Sequence, residues 1–302
     1  MCKFLAHDGA IISTMQRSAC VLGGVILTML ILTGLIWYGV WKEDQRGLLT
    51  VSFLNVGQGD SIFIRAPGGT KVLIDGGPAD GGLMRRLGEM LPWWDRSIDL
   101  VIPTHPDADH IAGLITVFRR YRVSRIVQSS VLGSTPTWDT LEKEIANEKL
   151  HGAQVLTAQR GQTIDLGKGA RLEVLSPDRN VPGVDTNAGC VATRLVYGKT
   201  AFMFGCDAPQ AVEKYLVSLD GAALHANVLK AGHHGSRTSS APLWVGEVNP
   251  QYVVYSRGCN NTYGFPHAET VATYARFGIP TLDTCESGTI SFESDGATVR
   301  RK

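Results

Sequence analysis

Four side chains able to ligate a metal ion fall within six consecutive residues, His105-Pro106-Asp107-Ala108-Asp109-His110. A short apolar strand pattern, Asp99 to Pro103, runs straight into them, and Ile111 to Tyr121 follows with helical spacing. That order puts the cluster at the carboxyl end of a strand, where ligand sites in open α/β sheets concentrate. Imidazole and carboxylate together suit first-row divalent metals. A plainer reading is a polar loop capping the next helix, with Asp109 as N-cap. It accounts for one of the four side chains.

Other polar groups stand at the ends of apolar runs. Lys71 to Ile74 ends at Asp75-Gly76-Gly77, Thr200 to Phe204 is followed by Asp207, and Ala226 to Ala231 by His233-His234. Singly, Asp75 reads as a turn residue, Asp207 as a helix cap and the histidine pair as structural. Jointly they predict one pocket along one sheet edge. The rest alternates in the same way. Leu49 to Asn55 and Ser61 to Arg65 read as a hairpin around Val56 to Asp60. Helical spacing marks Leu83 to Leu91, Trp138 to Lys149, Gln210 to Leu219 and Ala268 to Phe277. Strands are predicted at Arg125 to Gln128, within Val155 to Leu175, in a hairpin of Val191 to Tyr197 with Thr200 to Phe204, at Tyr252 to Ser256 and at Thr289 to Glu293. The pattern predicts one mixed α/β domain over residues 47–302.

Ahead of it, residues 19–41 carry no charge. Roughly 20 helical residues span a bilayer core, and Trp37, Tyr38 and Trp41 sit where an interfacial aromatic belt would lie. The reading is a short tail, residues 1–18, and a single-pass anchor, residues 19–41. A cleaved signal peptide is the rival, but no small-residue cleavage site lies between Ile36 and Gln45. Orientation is left open by charge, because Lys3 and Arg17 before the span balance Lys42 and Arg46 after it. The net charge of +1 excludes a whole-chain field for nucleic acid, so any DNA contact must be local.

His105-x-Asp107-x-Asp109-His110 resembles the HxHxDH signature of metallo-β-lactamase-fold hydrolases, with Asp107 in the place of the second histidine. Asn55 to Ser61, Ile74 to Gly77, Leu229 to Ser236 with Ser239, and Asn261 to His267 resemble, in order, the motifs of ComEC-type competence hydrolase domains. The resemblance implies an αββα sandwich with a di-metal site on one edge. His105 and Asp107 would hold one metal. Asp109, His110 and one of His233 or His234, with His233 taken first, would hold the other. Asp207 would bridge, and Asp75 would orient the ligand loop. His234 or His267 would protonate the leaving group, and Asp109 counts as catalytic as well as ligating. Asn187, Lys230 and Ser236 are expected substrate contacts. Two divalent ions are implied, manganese or zinc, with magnesium as a further option. The only histidine between His110 and Asp207 is His151, outside any motif, and Asp107 hardens the site toward manganese or magnesium. Phe265 departs from the histidine usual at its position.

Cys190 and Cys206 stand at motif positions usually held by serine and glycine, and they flank the Gly198-Lys199 turn. Cys259 and Cys285 each follow a strand near the pocket rim. Disulfides Cys190–Cys206 and Cys259–Cys285 are expected, which would place the domain on the extracytoplasmic side. Arg119, Arg120, Arg122 and Arg125 read either as charges complementing a helix end or as a phosphate-tracking surface beside the site. The resemblance favours a membrane-anchored DNA phosphodiesterase of DNA uptake or degradation. A metal-dependent esterase, lactonase or β-lactamase-like hydrolase and a non-catalytic DNA-binding module are the alternatives. Only 25 residues separate Asp207 from His233, too few for an inserted RNA-clamping domain. The channel region of full-length ComEC is not in this sequence, so a separate channel partner is expected.

Overall fold

The computed structural model describes residues 5–44, 47–79, 82–180 and 183–302, with side chains of residues 5–20 and 41–44 left out. Cys2, Lys3 and Arg46 lie outside the described residues, and so do the side chains of Arg17, Cys20, Trp41 and Lys42. The chain divides into two compact units, Met1–Arg46 and Gly47–Lys302.

The first unit is one helix, α1 (Leu5–Asp44). Within it Val21–Val40 is a 20-residue apolar stretch of mean hydropathy 2.1 whose side chains are not buried. At 1.5 Å per residue that stretch is about 30 Å long, the thickness of a bilayer core.

The second unit runs β1 (Leu49–Phe53), β2 (Ile62–Arg65), β3 (Lys71–Ile74), α2 (Gly82–Met90), β4 (Ser97–Ile102), α3 (Ala108–Arg120), β5 (Arg122–Gln128), α4 (Pro136–Leu150) and β6 (Gln154–Thr157). It continues with β7 (Thr163–Gly167), β8 (Ala170–Ser176), β9 (Ala192–Tyr197), β10 (Thr200–Phe204), α5 (Gln210–Asp220), β11 (Val228–Lys230) and α6 (Pro242–Val248). The chain ends with β12 (Tyr252–Tyr255), α7 (Ala268–Arg276), β13 (Thr281–Asp283), β14 (Ile290–Ser294) and β15 (Val299–Arg301).

These strands form an eight-stranded sheet, ordered β15-β14-β1-β2-β3-β4-β5-β6, and a seven-stranded sheet, ordered β13-β12-β11-β10-β9-β8-β7. The inner faces of both sheets share one core, in which Phe53 of the first meets Phe204 of the second edge to face, centroids 6.2 Å apart. Helices α2, α3 and α4 bury their apolar stripes on the outer face of the first sheet. Helices α5, α6 and α7 cover the second. The fold is therefore the expected αββα sandwich. Fully burying each large apolar side chain in these layers contributes about 1.5–3 kcal/mol.

Two runs of parallel strands position the site. β3, β4, β5 and β6 are parallel, and so are β10, β11, β12 and β13. The loops leaving the carboxyl ends of β3, β4, β10 and β11 carry Asp75, His105 to Asp107, Asp207 and His233-His234.

Helix α3 differs from its expected start. It begins at Ala108, so Asp109 and His110 lie in its first turn and Asp107, not Asp109, is the N-cap residue, without a side-chain cap bond. The arginines lie at the other end. Arg119 and Arg120 close α3 and Arg122 opens β5. Arg119 and Arg120 thus stand where the reading as charges complementing a helix end puts them, ten positions or about 15 Å of helical rise from Asp109. Arg119 is paired to Glu144 at 2.6 Å.

Candidate metal centre

Local backbone strain sets the direction of the chain at and beside the ligand candidates. Asp75, Cys206, His233 and His234 all have positive φ, between 47° and 55°. Non-glycine residues rarely adopt that region and do so where surrounding structure holds them. The turn after β3 meets α3 backbone to backbone. Gly76 N–H donates to His110 O at 2.6 Å, and Gly113 N–H donates to Gly77 O at 2.9 Å. A Cβ on Gly113 would stand 2.0 Å from Gly76 O, so only glycine fits the crossing.

Three ligand atoms converge. His110 Nε2, His234 Nε2 and Asp207 Oδ2 lie 3.2 Å from one another. Ligand atoms held at about 2.0–2.1 Å in a tetrahedral ion site stand roughly 3.3 Å apart, so this triangle fits one divalent ion. Asp109 Oδ2 lies 3.4 Å from His234 Nε2. His105 is buried with its ring against that of His110, centroids 4.0 Å apart. Its Nε2 is buried without a hydrogen-bond partner, and Asp107 Oδ2 is 3.7 Å away. An orphaned imidazole nitrogen beside a half-exposed carboxylate is a second place where a cation fits.

The outer nitrogens are held by protein. Thr104 O–H donates to Asp75 Oδ2 at 2.7 Å, and Thr104 N–H donates to Asp75 Oδ1 at 2.8 Å. The Thr104 hydroxyl has one proton, so its oxygen accepts from His105 Nδ1 at 2.9 Å. His110 Nδ1 donates to Asp75 Oδ2 at 2.8 Å, and His234 Nδ1 donates to Ser256 O at 2.8 Å. Assigned from these partners, all three rings carry Nδ1–H and turn Nε2 toward the centre, the arrangement found behind metal-bound histidines.

Charge follows the same geometry. Burial opposes a charged ring at His110 and His234, yet the Asp207 carboxylate between them holds both pKa values well above the ordinary range. Burial, reinforced by the neighbouring His110, pushes His105 well below it. Burial works against ionised Asp109, but the His234 hydrogen bond and His110 hold it at about 2. The pocket is built to hold positive charge where the Nε2 atoms meet. A proton or a metal ion satisfies that need.

Asp60 was missing from the sequence-based site. It is buried and stands on the outer side of both rings, 3.3 Å from His234 Nδ1 and 3.8 Å from His110 Nδ1. With His110, Asp207 and His234 it forms a buried group whose ligand atoms all lie within 4.8 Å. Its carboxylate pairs with Lys230. Burial raises the Asp60 pKa, and Lys230 and His234 outweigh it and hold the group ionised. The carboxylate after Gly57-Gln58-Gly59 was a signal, but it read as part of a hairpin turn.

Lys230, expected to contact substrate, is buried. Its side chain is 1% exposed, and Nζ donates to Asp207 Oδ1 at 3.0 Å and to Cys206 O at 3.2 Å. Lys230 lies beneath the centre and fixes Asp207.

A profile of the Metallo-beta-lactamase superfamily matches residues 54–241, well over half of the chain. The chain belongs to the metallo-β-lactamase superfamily. It is 27% identical to "ComE operon protein 3" of Bacillus subtilis over 90% of this chain and 36% of that protein. It is 28% identical to "Competence protein ComA" of Neisseria gonorrhoeae over 80% of this chain and 32% of that protein. The chain thus spans about a third of the length of these curated relatives. Among solved structures, a metallo hydrolase of the archaeon Ignicoccus hospitalis superposes with TM-score 0.53 at 15% identity, covering 80% of this chain and 98% of that one. That likeness is one of fold. Over this domain the chain is similar to the competence relatives, and its buried site is suited to divalent metal.

Within this superfamily fold the remaining expected residues sort by contact. The histidine pair, either of which could ligate on the sequence reading, divides by burial. His234, expected to transfer protons, is the buried member of the triangle. His233, expected to ligate, is the rim member, with a 26% exposed side chain and Nε2 3.6 Å from Asp207 Oδ2. Ser236, expected to contact substrate, is buried and its hydroxyl bonds Thr238 at 2.9 Å. Asn187 is partly buried, and its Oδ1 accepts no hydrogen bond. His267 precedes α7, and its Nδ1 accepts from Arg237 N–H at 3.0 Å, which leaves a proton on Nε2. Disulfides join Cys190 to Cys206 and Cys259 to Cys285, with Cα atoms 6.4 and 5.0 Å apart. The first tethers the residue before Asp207.

Proposed function

We propose that this chain is a metal-dependent phosphodiesterase acting on DNA, held to a membrane by α1. The observation that carries the metal part is the 3.2 Å triangle of His110, His234 and Asp207, backed by Asp75 and Asp60. His110, His234, Asp207 and Asp109 would hold one ion, and His105 with Asp107 a second. Bound ions would supply a Lewis acid and activate water. Manganese or zinc fits this mixed set of oxygen and nitrogen donors, and the carboxylate at Asp107 favours manganese. Asp75 and Asp60 fix the rings from behind, and Lys230 fixes Asp207. His233, on the rim, and His267, with a proton on Nε2, would hand a proton to a departing oxygen.

The DNA part is supported by the relatives named for competence, the uptake of DNA. The two disulfides support an extracytoplasmic domain, where such bonds persist. A separate translocating protein would then supply or receive the strand.

The test is cleavage of linear single- and double-stranded DNA by residues 47–302 with Mn²⁺, Mg²⁺ or Zn²⁺, beside an Asp109→Ala, His110→Ala double variant. That unit has its own three cores. Metal-dependent cutting that vanishes in the variant is expected, together with calorimetric loss of metal binding. A folded, metal-loaded protein that cuts no DNA but opens an ester, lactone or β-lactam would replace this reading with a small-molecule hydrolase.

A further inference from the structure

Beside the metal centre runs an open groove of about 700 Å³, with Asp107 and Asp109 in its wall and Pro106, Thr137, Asn260 and Tyr263 beyond them. None of its described lining residues is lysine or arginine. A path that tracks a phosphate backbone needs such cations. A wall of neutral amide, hydroxyl and aromatic groups instead suits a flat, uncharged ring.

Tyr263 supplies the surface for one. Its ring stacks on Phe265, centroids 5.3 Å apart and planes 13° from parallel. With one face on Phe265 and the residue 60% exposed, the other face is open. Phe265 is buried and leads inward, its centroid 5.6 Å from that of His233 and 6.1 Å from that of His234. An exposed aromatic face thus lies one ring removed from the histidine pair.

The loop that carries Tyr263 is braced. Asn261 Nδ2 donates to Gly258 O at 2.9 Å and Phe265 O at 3.0 Å, and its Oδ1 accepts from Phe265 N–H at 2.8 Å. The Cys259–Cys285 disulfide pins the start of the loop. A ring docking on Tyr263 therefore spends little binding energy on ordering it.

We propose that Tyr263, backed by Phe265, stacks an unpaired nucleobase next to the scissile phosphate and so selects single-stranded DNA. The inference rests on the phosphodiesterase reading above. A base inside a duplex has both faces covered by its neighbours, whereas an unpaired base offers one to a protein ring.

The test measures binding by the full chain in detergent, loaded with Mn²⁺, using fluorescence anisotropy. The probes are an oligothymidylate of about ten nucleotides with phosphorothioate linkages and an abasic strand of equal length and charge. The wild-type protein is expected to bind the thymidylate roughly ten-fold more tightly than the abasic strand. Tyr263→Ala and Tyr263→Leu should lose that difference, Tyr263→Phe should keep it, and in cleavage the loss should fall on KM rather than kcat. If wild type cuts DNA but treats the two probes alike, or Tyr263→Ala and Tyr263→Leu bind thymidylate like wild type, stacking is overturned and the phosphodiesterase reading stands. A metal-loaded wild type that neither binds nor cuts any strand overturns both.

Discussion

Lys230 is the residue whose loss the centre can least absorb. Its ammonium is buried between Asp60 and Asp207, and the carboxylates hold its pKa above the ordinary lysine range although burial pulls the other way. Lys230→Met keeps the length and leaves two buried carboxylates without their cation. Breaking a buried pair in this way costs about 3–5 kcal/mol, so the melting temperature of the variant should fall by several degrees, and adding Asp60→Asn should recover part of the loss. Asp75→Asn tests the shell behind His110. An amide nitrogen there faces His110 Nδ1–H and the Thr104 hydroxyl, both donors toward Asp75 Oδ2. Titration calorimetry should show Mn²⁺ affinity reduced roughly 10- to 100-fold. The metal-capable residue types were legible in the sequence; their facing was not. Adjacent His233 and His234 cannot be told apart by spacing, because two successive positive φ values decide which ring turns inward. Asp60 and Lys230 lie 170 positions apart, and only the meeting of two sheets makes them a pair.

At the scale of elements, the β3 turn and α3 meet in one of the tight backbone contacts beside the site. Gly113→Ala would press a methyl group into Gly76 O. Overpacking of this kind costs about 1–3 kcal/mol, and because Asp109 and His110 ride on the same helix, denaturant midpoint and metal affinity should fall together. Helix α6 depends on Glu213 of α5, whose carboxylate accepts Ser240 N–H at 2.8 Å and Ala241 N–H at 2.7 Å. Burial outweighs these bonds and the nearby Lys214, raising the Glu213 pKa to about 7; Tyr274 is its other titratable neighbour. The folded state therefore binds the proton more tightly than the unfolded chain. The stabilisation is complete below the ordinary glutamate value near 4.5 and is lost as pH rises through about 7. Unfolding free energy should decline by up to about 3 kcal/mol across that window, and Glu213→Gln should remove this slope. Long apolar strands and helices with a clear stripe were legible. Helix α6, at seven residues, is too short to hold itself without tertiary contacts, and β13 and β15, at three residues each, show no period.

For the whole molecule, α1 and the sandwich make separate claims. If Val21–Val40 is embedded in lipid, the full chain should resist alkaline carbonate extraction from membranes, whereas residues 47–302 should be released. The disulfides join residues 16 and 26 positions apart. Each such closure contributes about 3 kcal/mol by restricting the unfolded chain, so reduction should lower the melting temperature in two separable steps for Cys190→Ser and Cys259→Ser. Helix α3 ties the ends of the sandwich together. It is gripped at Gly113, with Asp109 on one side of the grip and Arg119 on the other. It also buries Ile111, Leu114, Val117 and Phe118 along its length. The segment that carries Asp109 and His110 is thus at once a beam of the outer layer, and whatever loosens that layer loosens the place where ions would sit.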